Sequence, residues 1–68
     1  MNEETFNLSI RKFLKMVGVK SQHEIEQSVS KALAQGTISG KETFPVSMNL
    51  RIGQLRLDIK FDGEINLE

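Results

Sequence analysis

The sequence predicts an α+β fold of two N-terminal helices followed by a β-hairpin, an ααββ arrangement in two layers that dimerisation would complete. Three observations predict it. Apolar residues recur with a helical period up to residue 36, the period changes to two from Val46 onward, and the chain has only 68 residues. At that length folding hides only about 60% of the surface of the unfolded chain, so one copy has a thin core.

The first helix is read over residues 3 to 17. Phe6, Ile10, Phe13, Leu14 and Val17 fall at i, i+4, i+7, i+8 and i+11, which places them on one stripe, with Met16 beside it. Glu3 and Glu4 open the segment and Arg11, Lys12 and Lys15 follow, the order that the helix dipole favours. Gly18 reads as a stop in the left-handed region. Ser21 and Glu24 then form an S-x-x-E capping box, in which hydroxyl and carboxylate satisfy the free amides of a new helix. That second helix carries Ile25, Val29, Ala32 and Leu33 on its apolar side and ends at Gly36. Gly18 to Lys20 would form the corner between them.

Residues 37 to 45 hold Gly40 and Pro45 and read as an extended connector; no second domain fits, so residues 1–68 are taken as one. In the hairpin, Val46, Met48, Leu50 and Ile52 face one way, as do Leu55, Leu57, Ile59 and Phe61. A two-residue type II′ turn at Gly53 and Gln54 would pair Ile52 with Leu55, Leu50 with Leu57, Met48 with Ile59 and Val46 with Phe61. Phe44 would then cover Gly63, and the second strand would run on through Ile65 and Leu67 with a bend or bulge at Gly63. A two-stranded ribbon has two free edges, which is the reason for expecting a homodimer.

Charge and composition narrow the classes of function. Nine basic side chains balance nine acidic ones, and neither half departs far from neutrality, so no long-range field draws in nucleic acid or an anionic membrane. The acidic start MNEETF has no apolar h-region, and no run approaches the roughly 20 apolar residues of a membrane span. A cytoplasmic protein is expected. With no cysteine and one histidine, neither a disulfide nor a zinc site is expected, and no cofactor is. His23 with Glu24, Glu26 and Gln27 has the spacing of a helix face but reads as a solvated first turn. No nucleophile, base or phosphate loop is arranged for catalysis, so an enzyme is not expected.

Two surfaces remain as candidates. Leu8 lies about 160 to 200° from the Phe6 stripe, among Arg11, Lys12 and Lys15, an apolar centre with a cationic rim of the kind that contacts a protein partner. On the outer face of the ribbon Arg51, Arg56 and Lys60 form a candidate anion site, because the expected register sets Arg51 across from Arg56, a repulsion that an anion would relieve. A helix-turn-helix reading of FLKMVGVKSQHEIEQSV (Phe13 to Val29) is opposed by Glu24 and Glu26, which stand where a recognition helix offers base-reading side chains.

The segments FNLSIRKFLKMVGV (Phe6 to Val19), SQHEIE (Ser21 to Glu26) and FDGEI (Phe61 to Ile65) resemble those of a family of short bacterial proteins catalogued only as a domain of unknown function. The likeness covers the whole chain. It implies a stand-alone, dimeric small protein and carries over no catalytic or binding residue. Together these readings favour a small interaction or regulatory module that acts as a homodimer, with weak nucleic-acid or anion binding through Arg51, Arg56, Lys60 and the basic side of the first helix as the alternative.

Overall fold

A computed structural model describes residues 1–68 as α1 (Glu3–Gln35), β1 (Thr43–Ile52), a single 3-10 turn (Gly53–Leu55) and β2 (Leu57–Asn66). The chain divides into two units, Met1–Gln35 and Gly36–Glu68. The α+β class and the hairpin agree with the sequence. The two expected helices are one.

α1 starts where Asn2 caps it: the Asn2 Oδ1 accepts the Thr5 amide at 3.0 Å, and the Asn2 carbonyl accepts the Phe6 amide at 3.0 Å. It then runs for 33 residues, about 50 Å, through Gly18 without a break. A lone glycine costs a helix about 1 kcal/mol relative to alanine, less than losing the hydrogen bonds of a turn at each new end, and no proline precedes residue 45. Ser21 and Glu24 therefore sit mid-helix, where the amides that a capping box would satisfy already bond to carbonyls one turn earlier. Gly36, with φ +75, ends the helix in the left-handed region as its sequence position suggests, and Gly18 does not.

The stripe pattern is the reason one helix resembles two. At 100° per residue, Phe6, Ile10, Phe13, Leu14 and Val17 centre on one direction, whereas Ile25, Val29, Ala32 and Leu33 centre roughly 100° further round the same axis. Two stripes out of phase look like two helices when each is fitted separately.

The hairpin is antiparallel and regular from Thr43↔Asn66 to Ile52↔Leu57. Its loop has four residues, not two: Gly53 to Leu55 form the 3-10 turn, the Arg56 amide donates to the Gly53 carbonyl at 3.1 Å, and Arg56 returns the chain to the strand with φ 54 and ψ 33. The register is thus displaced by two residues from the expected one. An even displacement keeps every side chain on its face. Leu50 now pairs with Ile59, Met48 with Phe61 and Phe44 with Ile65, while Val46, not Phe44, covers Gly63. The Val46 Cγ1 lies 3.6 Å from where a Gly63 Cβ would stand. Charge favours this register: Arg51 faces Asp58 instead of Arg56, so a like-charged pair gives way to an opposite one. β2 passes through Gly63 with no bulge.

No side chain of the chain is buried. The two-layer core that the periods suggest follows from neither unit taken alone.

Two substitutions test these assignments. An added Cβ at Gly18 meets nothing within 4 Å, so Gly18→Ala raises helix stability by about 1 kcal/mol, read as a higher melting midpoint in far-UV circular dichroism; a corner needing φ above zero there would make the same change destabilising. Arg56→Gly removes the cost of a left-handed arginine and stabilises the hairpin by about 1 kcal/mol in a urea titration. Loss of stability would show that the Arg56 side chain holds the loop.

Candidate functional site

The apolar side chains form the most extensive surface feature. On the hairpin, Met48, Ile52, Ile59 and Phe61 lie open to solvent, Phe61 being 56% exposed, while Phe44, Val46, Leu50, Leu57 and Ile65 on the same face are half-buried. On α1, Phe6, Phe13 and Leu14 are likewise open, with Phe13 49% exposed. In a folded domain such aromatic residues are usually covered, and each contributes about 1.5 to 3 kcal/mol when it is. Gly63 leaves a notch in the hairpin face between Val46, Met48 and Phe61.

The partner-contact candidates Leu8, Arg11, Lys12 and Lys15 do share one side of α1, within its uninterrupted stretch. Leu8 is 56% exposed, but so are its counterparts on the other side to a similar degree, and it does not stand out as the one uncovered leucine of the helix.

The three residues of the candidate anion site are not brought together. Arg51 Nε lies 3.5 Å from Asp58 Oδ1, directly across the ladder. The Asn49 amide group donates to the same Asp58 oxygen at 3.5 Å. Lys60 Nζ lies 3.5 Å from Asp62 Oδ1 on its own strand. Arg56 stands in the loop, off the ladder. Two of the three cations therefore have a carboxylate beside them, in exposed pairs of the kind that contribute little to stability.

His23, Glu26, Gln27, Ser30 and Lys31 line an open groove along α1. His23 is thus a mid-helix residue and not one of a first turn. Glu26 Oε2 accepts from the Gln22 side chain at 3.4 Å. No three His, Asp or Glu side chains are grouped to hold a metal ion, and no helix is long and apolar enough to cross a membrane.

A feature that the sequence reading missed lies in the connector. The Glu42 carboxylate collects three successive backbone amides: Ser39 at 2.8 Å on Oε2, Gly40 at 2.9 Å and Lys41 at 3.1 Å on Oε1, with the Ser39 hydroxyl at 3.3 Å. The signal was present, since Ser39-Gly40-Lys41-Glu42 repeats the S-x-x-E spacing of Ser21 to Glu24. The Glu42 carbonyl also accepts the Leu67 amide at 3.0 Å, extending the ladder past Thr43. The Ser39 amide, opposed by desolvation and helped by the amides of Gly40 and Glu42 itself and by the Ser39 hydroxyl, holds the Glu42 carboxyl below its ordinary pKa.

The chain belongs to the family of unknown function DUF6494, whose profile it matches over residues 1–68. No curated protein and no solved structure matches it.

Because the folded state depresses the Glu42 pKa, it binds fewer protons there than the unfolded chain, and the resulting stability is present above the ordinary glutamate range and lost as pH falls through the folded value. Hairpin stability measured from pH 7 down to pH 3 accordingly declines, and Glu42→Gln flattens that decline. An unchanged pH profile in the variant would remove Glu42 as its source.

Proposed function

We propose that the protein is a small cytoplasmic interaction module that works as a homodimer and has no reaction of its own. The observation that carries this reading is the open apolar surface of both units together with the absence of any buried side chain. A second copy is the simplest source of matching apolar area, and closed two-fold pairing uses the same patch on both chains.

In this reading the side of α1 that bears Leu8, Arg11, Lys12 and Lys15 stays available to a further protein with an acidic surface, its apolar centre supplying affinity and its cations the approach rate. Weak anion or nucleic-acid binding through Arg51, Arg56 and Lys60 draws less support, because Asp58 and Asp62 already neutralise two of those cations.

Sedimentation equilibrium from low micromolar to millimolar concentration tests the dimer. The expected mass is twice 7.7 kDa, and Phe61→Ser raises the dissociation constant by about tenfold or more, the equivalent of one aromatic ring left in water. A monomer across the whole range would overturn the proposal.

A further inference from the structure

The tip of the hairpin holds a conformation that its sequence does not favour. Arg56 is the one non-glycine residue with positive φ, at φ 54 and ψ 33. In that region the Cβ of an L-residue crowds the carbonyl that follows, so the position suits glycine, or asparagine, whose short side chain bonds locally. Arginine has neither advantage. Nor does its side chain offset the cost within the hairpin: Arg56 is exposed, its guanidinium has no hydrogen bond or ion pair, and only its backbone amide is engaged, donating to the Gly53 carbonyl at 3.1 Å.

A second observation falls on the neighbouring residue. Leu55 is 70% exposed, more than any other large apolar side chain except the terminal Met1. Gly53 and Gln54 bring no charge to the loop, and behind it Arg51 and Asp58 neutralise each other. The tip therefore offers one apolar side chain beside one unpaired cation. A left-handed residue that the surrounding structure does not require is a sign of function, since strain of this kind gathers where a chain clamps or contacts a ligand.

We infer that the hairpin tip is a contact element in which Leu55 and Arg56 together engage a protein surface bearing a carboxylate next to an apolar pocket. The planar guanidinium fork matches a carboxylate in a bidentate pair, and arginine is among the residues enriched at protein interfaces. Leu55 needs an apolar receiver, which a phosphate backbone does not supply. One free cation is also too few for nucleic acid, whose affinity grows with the number of phosphates neutralised. The inference rests on the protein-binding reading above and not on its homodimer. It places a contact on the hairpin, apart from the Leu8 side of α1.

A phage library displaying genomic fragments of the source organism, panned on the intact protein, tests the inference, with the selected fragments measured by titration calorimetry against the wild type and its variants. Arg56→Gly and Leu55→Ser should each raise the dissociation constant by about tenfold or more, while Arg56→Gly keeps its urea midpoint at or above that of the wild type. Arg56→Asn, which accepts the left-handed conformation, should lose binding to the same extent. Neutralising one Asp or Glu of the fragment should cost as much as Arg56→Gly, and the two changes combined little more, because either alone breaks the same pair. Fragments that bind Arg56→Gly and Arg56→Asn as tightly as the wild type would overturn the inference, as would the selection of no fragment at all. Binding lost on Leu8→Ser but not on Arg56→Gly would overturn the tip and leave the interaction module standing. Oligothymidylate bound in an Arg56-dependent way, with no protein fragment selected, would overturn it in favour of phosphate. A lowered urea midpoint in both Arg56 variants would overturn it by giving the side chain a structural role.

Discussion

Backbone hydrogen bonding holds this chain's secondary structure, and everything else follows from how little side-chain burial accompanies it. A helix of 33 residues satisfies all its interior amides within itself, and a ten-residue ladder satisfies one side of each strand. Neither arrangement removes the apolar side chains from water. Helices draw most of their stability in proteins from packing an amphipathic face, and isolated two-stranded ribbons are marginal. A protein built this way has a folded state whose population depends on how far its apolar faces are covered.

Polar interactions here set geometry more than energy. The exposed Arg51–Asp58 pair adds little free energy, but it distinguishes two registers that keep the same side chains on each face. Both registers match apolar with apolar, since they differ by an even number of residues. The charges on the outer face, which contribute least, thereby choose the loop. Glu42 acts similarly: by gathering the amides of residues 39 to 41 it fixes the path of the chain into β1 through polar contacts.

The alternation from Val46 to Leu67 made the hairpin and its faces legible in the sequence, because a period of two depends only on the pleat. The register was not legible. A Gly-x pair suits a two-residue turn on local grounds, and only the cross-strand charges argue for the longer loop. In the helix, the residues of both apolar stripes were read correctly but assigned to two elements, since Gly18 and the Ser21-x-x-Glu24 spacing each carry a local meaning that a continuous helix overrides. The same spacing at Ser39 to Glu42 does act on free amides, which shows that the motif reports a capacity and its neighbours decide whether the capacity is used. Of the candidate site residues, Leu8, Arg11, Lys12 and Lys15 follow from helical geometry alone and stay together. The grouping of Arg51 with Arg56 depended on the register and dissolved with it.

The rotation between the two halves of α1 has a consequence for anything that would cover it. A straight rod laid along the helix can cover the stripe of Phe6 to Val17 or that of Ile25 to Leu33, but their directions diverge by more than a quarter turn, so it cannot seat on both. The helix therefore presents two apolar faces roughly 100° apart on one rigid body. A partner seated on one would leave the other at a set distance and angle, and a second contact made there would benefit from the high effective concentration that such a rigid spacing creates.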